Sequence, residues 1–134
     1  MVLVDTSVLI GYLKGSSGKP YEILDEIIDK NIVFGICNHI YQEILQGVKT
    51  EKEYFQLKEY LDVLPFYDLH NGRKSYENAA LLYIRCRKAG ITIRSTIDLI
   101  IAQTAIENQL LLLHNDNDFI NLSRIIPELK LYNS

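Results

Sequence analysis

Five acidic residues stand out by where they fall. Asp5 directly follows the apolar run Val2-Leu3-Val4 and precedes Thr6 and Ser7. Glu43 comes shortly after Ile32-Val33-Phe34-Gly35-Ile36, Asp98 sits at the head of Leu99-Ile100-Ile101-Ala102, and Asp116 and Asp118 follow Leu110-Leu111-Leu112-Leu113. If these side chains meet, they repel: two charges about 4 Å apart cost on the order of 4 kcal/mol at an effective dielectric near 20. A cluster must therefore hold protons or share a cation. The natural partner is a hard divalent ion. Mg2+ takes oxygen ligands, keeps several waters, and is usually fixed by one or two carboxylates together with substrate phosphate; Mn2+ suits the same donors. Such a centre lowers the pKa of a bound water and stabilises developing charge on phosphoryl oxygens, so no protein nucleophile is required.

Whether the acids meet depends on the elements that carry them. The apolar runs at 2–4, 32–36 and 110–113 read as strands buried on both faces, the habit of parallel sheets. In an open α/β sheet, ligands sit outside the carboxyl ends of the strands. Asp5 ends the first strand and precedes a helix patterned by Val8, Leu9, Ile10, Tyr12 and Leu13. Glu43 lies on a helix striped by Ile40, Tyr41, Ile44, Leu45 and Val48, within about two turns of the second strand's end. A mostly apolar helix over 97–107, capped by Ser95 or Thr96, runs straight into the third strand, so it starts at the same edge and carries Asp98 there. Taken singly, each acid has a plainer role. Asp5 can be an N-cap, Glu43 a surface residue, and Asp98 a first-turn anion stabilised by roughly 0.3–1 kcal/mol. Asp116 and Asp118 can make a turn or cap a short helix over 119–126. Convergence of Asp5, Glu43, Asp98 and Asp116 on one edge is what the plainer roles do not explain.

The rest of the chain supplies the frame. Gly15-Ser16-Ser17-Gly18 is a connection without the spacing of a phosphate-cradling loop. Pro20 suits the first turn of a second helix, and an amphipathic helix over 51–64 is ended by Pro65. Phe66-Tyr67-Asp68-Leu69 reads as a short strand, and Asp68 or Asn71 can cap a longer helix closed by Gly90. That helix has a basic tail, Arg85, Arg87 and Lys88, with Arg94 beyond. These cations are either favoured by the helix C-terminus or are contacts for substrate phosphates. Leu129-Lys130-Leu131-Tyr132 reads as a last strand.

The 134 residues suit one domain, 1–134, without repeat or linker. A net charge of −3 gives no strongly basic footprint, so a nucleic-acid substrate needs metal or a local basic patch to offset its phosphates. The two cysteines show neither metal spacing nor a disulfide framework, as in a reducing cytosol. No apolar run is long enough to span a bilayer, and a strand and a charge follow Met1 too closely for a signal peptide. A cytoplasmic protein is expected. There is no convincing Ser-His-Asp or Cys-His set, zinc spacing or dinucleotide fingerprint; His39, His70 and His114 are scattered.

In order, the acidic segments resemble the four motifs of the PIN domain. Val-Leu-Val-Asp-Thr-Ser-Val-Leu-Ile (2–10) is similar to the first motif, and the isolated Glu43 to the second acid. Ser95-Thr96-Ile97-Asp98-Leu99-Ile100-Ile101-Ala102 resembles the third motif, and Leu113-His114-Asn115-Asp116-Asn117-Asp118-Phe119 the fourth. The small size is similar to that of the VapC toxins. The resemblance implies a three-layer α/β/α sandwich with a five-stranded parallel sheet and Mg2+- or Mn2+-dependent endoribonuclease activity. It also implies a homodimer and a cognate antitoxin that covers the site. Asp5, Glu43, Asp98 and Asp116 match the acidic quartet, and Asp118 an auxiliary acid. His114 departs from the pattern, since Ser or Thr often stands two residues before the fourth acid. Two other readings compete: a PIN-fold interaction module that mainly binds an antitoxin or regulator, with the helices at 21–28 and 54–64 as its groove, and a metal-dependent phosphatase. The phosphatase lacks a Lys at a suitable strand end.

Overall fold

The computed structural model describes residues 1–132; the last two residues of the expected 1–134 domain lie outside the described residues. The elements run β1 (Val2–Val4), α1 (Thr6–Leu13), α2 (Lys19–Asp29), β2 (Phe34–Gly35), α3 (Asn38–Gln46) and α4 (Glu51–Leu61). They continue with α5 (Arg73–Lys88), α6 (Thr96–Glu107), β3 (Leu111–Leu113), α7 (Asn117–Ile125) and β4 (Lys130–Leu131). The strands form one parallel sheet in the order β2-β1-β3-β4. β1 lies in its middle, with Val2, Leu3 and Val4 paired to Leu111, Leu112 and Leu113. All three β1 residues are buried, as expected for a strand covered on both faces.

The sheet has four strands, not the five the resemblance implies. The fifth position is reduced to a single parallel bridge between Ile36 and Phe66. Ile36 N–H donates to the Pro65 carbonyl (3.1 Å) and Tyr67 N–H donates to the Ile36 carbonyl (2.8 Å). The next residue then turns to other work. Asp68 Oδ1 accepts from the Asn38 N–H at the start of α3 (2.7 Å), and its carbonyl accepts from Asn108 Nδ2 (3.1 Å). Gly35 lets this segment come close, because a Cβ there would sit 2.2 Å from the Pro65 carbonyl oxygen.

The helices pack in two sets, α1 against α2 and α3 with α3 on α4, and α5 against α6 and α7 with α6 on α7. In α6 every residue from Leu99 to Ala105 is buried, so its nearly continuous apolar sequence belongs to a core helix. Leu3, Leu9, Leu24, Ile40, Ile101, Leu112, Phe119 and Leu122 are among the fully buried side chains. Pro20 falls in the first turn of α2 as expected. At α5 the cap position falls to Gly72, at φ +56°, rather than to Asp68 or Asn71. Cys37 and Cys86 are buried free thiols. Among the described residues, no helix is long and apolar enough to cross a membrane.

Candidate metal centre

β1 stops at Val4, and Asp5 takes the N-cap position of α1 with an extended backbone, φ −71° and ψ 156°. Its carboxylate does not cap the helix. It instead accepts a hydrogen bond from Ser7 Oγ (3.3 Å), which removes the plainest structural role open to it. The Asp5 N–H donates to the Leu113 carbonyl (2.9 Å), locking the end of β1 to the end of β3. Whatever follows β3 is thereby brought to the edge where Asp5 stands.

Asp5 is only 8% exposed. Burial is the main reason its pKa is raised to about 6, with the charges of Glu43 and Asp116 adding to it. The Thr6 backbone N–H and the Ser7 hydroxyl pull the other way. Glu43, in the second turn of α3, is held from the α1 side: Thr6 Oγ1 donates to its Oε1 at 3.0 Å. The first two residues after Asp5 thus orient two carboxylates, one each.

The other acids enter from α6 and α7. Ser95 caps α6, accepting from the Ile97 N–H (3.2 Å), and this sets Asp98 in the first turn. The Asp98 pKa is also raised to about 6, first by burial and then by the charges of Asp116, Asp5, Asp118 and Glu43. Asp116 caps α7 through Oδ1, which accepts from the Asp118 N–H (2.9 Å). Asp98, Asp116 and Asp118 each offer one oxygen, and these oxygens all lie within 4.8 Å of one another. Oxygens around a single hard cation with bonds of 2.0–2.1 Å span about 4 Å, so a small inward adjustment of these side chains would let the trio hold such an ion. Among the described residues the ion pairs are Lys58–Asp62, His70–Glu107 and Arg85–Glu128, so none of the five acids has a cationic side chain beside it.

The arrangement has two parts. Asp98, Asp116 and Asp118 form the closest oxygen cluster, a candidate cage for a cation, and Asp5 and Glu43 stand by it, tied to Ser7 and Thr6. Asp118, which the sequence offers as an auxiliary acid, is a full member of the cage, while Asp5 lies outside the tight trio. The hydroxyl partners Thr6 and Ser7 were readable only as two polar residues after a strand-end acid. His114, which departs from the Ser or Thr pattern, makes a backbone contact within the same turn. Its Nδ1 accepts from the Asp116 N–H (3.1 Å), which leaves the proton of the neutral ring on Nε2. Its ring tilts against Phe119 at a centroid distance of 5.5 Å, and burial lowers its pKa. A neutral imidazole therefore fixes the turn that presents Asp116.

A central parallel sheet whose carboxyl edge gathers acids from four segments defines a small α/β domain with an acidic centre. Residues 2–125 match the PIN domain family, and the chain belongs to that family. Among curated proteins it is 29% identical over 126 residues to the VapC ribonuclease Mb1587 of Mycobacterium bovis, covering 93% of each chain. It has the same identity and coverage with ribonuclease VapC11 of Mycobacterium tuberculosis. Solved structures of the same fold include VapBC2 from Rickettsia felis bound to a DNA fragment from their promoter, with a TM-score of 0.73 and 24% identity. That match covers 100% of this chain and 99% of the other. FitAcB from Neisseria gonorrhoeae matches with a TM-score of 0.70 and 18% identity, over 99% of this chain and 97% of the other.

Proposed function

We propose that the protein is a cytoplasmic, single-domain, Mg2+- or Mn2+-dependent endoribonuclease that hydrolyses RNA phosphodiester bonds. In this reading it is the toxin of a type II toxin–antitoxin pair, a homodimer silenced by a cognate antitoxin. One observation carries the reading: five acids with no cationic side chain beside them converge on the carboxyl edge of the sheet. The ribonuclease names of the relatives support it.

Asp98, Asp116 and Asp118 are the residues that would hold the ion, with Asp5 and Glu43 completing its surroundings. Bound there, a divalent cation supplies an activated water and offsets the charge on the scissile phosphate. The chain's own groups do the positioning. Ser7 holds Asp5 Oδ2 and Thr6 holds Glu43 Oε1. In this reading Glu43 is a ligand or the base-side partner, and its Oε2 would take a proton from an attacking water. His114 fixes the backbone from which Asp116 projects.

The antitoxin reading has its own support in an apolar cleft of about 230 Å3 lined by Ile10, Leu13, Ile44, Val48 and Leu57. It is built from α1, α3 and α4. The segment expected at 54–64 contributes Leu57, whereas 21–28 does not line it. The same cleft would serve an interaction module without strong catalysis, so cleavage separates the two readings. The purified protein with a mixed-sequence RNA should cut it in Mg2+ or Mn2+, stop in EDTA, and lose cutting on Asp5→Asn while keeping its folded circular dichroism. Undiminished cutting in EDTA or by Asp5→Asn would overturn the proposal.

A further inference from the structure

The basic residues that close α5 are not equivalent. Arg85 is committed to Glu128, with its two guanidinium nitrogens 2.8 and 3.4 Å from the carboxylate oxygens. Arg87 instead lies over the ring of Tyr83, its Cζ 5.7 Å from the centroid. Arg87 and Arg94 form no ion pair among the described residues. Both line a groove of about 510 Å3, together with Tyr83, Ile84, Ile93 and Thr96. That is within the roughly 300–1,000 Å3 usual for ligand clefts. No acidic side chain lines it, in contrast to the cleft beside α2, which Glu22 and Asp25 line.

The groove reaches the start of α6, the helix whose first turn also carries Asp98. Thr96 and Leu99 in its wall bracket Asp98 in the first turn of α6, and three residues of helix rise only about 4.5 Å. A polyanion brought to five carboxylates in a chain of net charge −3 needs cations nearby that are not already neutralised. Arg87 and Arg94 are such cations. Half-buried Tyr83 adds an aromatic ring with the Arg87 guanidinium at cation–π distance, and aromatic rings and guanidinium groups are the surfaces on which unpaired bases stack.

We propose that this groove is a single-stranded RNA subsite flanking the cleavage centre, in which Tyr83 and Arg87 stack a base next to the scissile phosphate and Arg94 holds a neighbouring phosphate. The proposal rests on the nuclease reading for its substrate, but it concerns affinity rather than bond cleavage. A base on this platform selects against duplex RNA, because a paired base cannot leave its stack without loss of pairing.

The test uses a fluorescent mixed-sequence single-stranded RNA and the full-length protein in Mg2+. On the Asp5→Asn background, Tyr83→Ala should weaken binding about tenfold and Tyr83→Phe should restore it. Arg94→Gln should lower the slope of log affinity against log salt by about 0.7. In the otherwise wild-type enzyme the same changes should raise KM and leave kcat within about twofold. Parental affinity and KM in both Tyr83→Ala and Arg94→Gln overturn the subsite, even if wild type cleaves RNA. Tyr83-dependent binding by a protein that cleaves nothing removes the catalytic reading and leaves the subsite standing. No RNA binding by the parent removes both. A shift in oligomeric state on Tyr83→Ala with RNA affinity unchanged assigns the groove to a second copy of the chain and overturns the proposal.

Discussion

Thr6 Oγ1 donates to Glu43 Oε1 across 3.0 Å, joining the first residue of α1 to the second turn of α3. The contact fixes one carboxylate oxygen; in the proposed mechanism the other would take the proton. Thr6→Val keeps the shape and removes the donor. It should lower kcat about tenfold, the effect of a mis-set general base, while reducing stability by only about 1 kcal/mol. Thr6→Ser should recover most of the rate. Steady-state kinetics beside thermal melts would check this, and a rate loss that merely tracks the loss of stability would count against it.

The buried Asp5 makes the metal-free protein sensitive to pH in an unusual sense. Its folded pKa of about 6 lies above the ordinary value of 3.8. Below about pH 4 it is protonated in both folded and unfolded chains, and its burial carries no electrostatic penalty. Between about pH 4 and 6 the unfolded chain loses the proton first, so the Asp5 contribution falls as pH rises and levels off above pH 6. At 8% exposure the full loss is about 3 kcal/mol. Asp5→Asn should therefore be more stable than wild type at pH 7.5 in EDTA and nearly equal to it at pH 4. Urea unfolding at the two pH values measures the difference.

Metal binding should run against protons. Asp5 and Asp98 both titrate near pH 6 before any ion is present, and a cation binds their charged forms. Mn2+ affinity should rise steeply from pH 5 to 7 and flatten above. Calorimetry in buffers of different ionisation enthalpy should show proton release at pH 6 and little at pH 8. Asp116→Asn should abolish this binding, because it removes a member of the closest oxygen trio.

His114 should behave as a positioning residue. His114→Ala removes the acceptor for the Asp116 N–H. Metal affinity should fall about tenfold, as for other outer-shell changes, and exchange of the Asp116 amide proton should accelerate. His114→Asn, which returns an acceptor at a similar reach, should restore both. An unchanged Asp116 exchange rate in His114→Ala would show that the ring does not hold the turn.

Much of this was legible in the chain, for reasons that differ by residue. Val2-Leu3-Val4 and the leucine run ending at Leu113 are strands because nothing polar interrupts them, and Ser95 caps α6 as its type suggests. The shared edge followed from those elements, and with it the meeting of Asp98 and Asp116. The fifth strand failed because Asp68 has tertiary partners, the Asn38 N–H and Asn108 Nδ2, that local pattern does not reveal. Asp118 joined the oxygen cage through a turn only three residues beyond the strand end, where one changed dihedral would have sent it elsewhere. The Arg85–Glu128 pairing, which separates one arginine from its neighbours, spans 43 positions and has no local signature.

The proline at the rim of the sheet has a bearing on colloidal behaviour. β2 is an outer strand, and outer strands invite pairing with other chains. Here its end is met by a segment that begins at Pro65, a residue with no amide hydrogen to offer a newcomer. That segment departs after one bridge, so among the described residues no long ladder extends outward from β2. The truncated fifth position thus limits strand addition along the β2 side of the sheet.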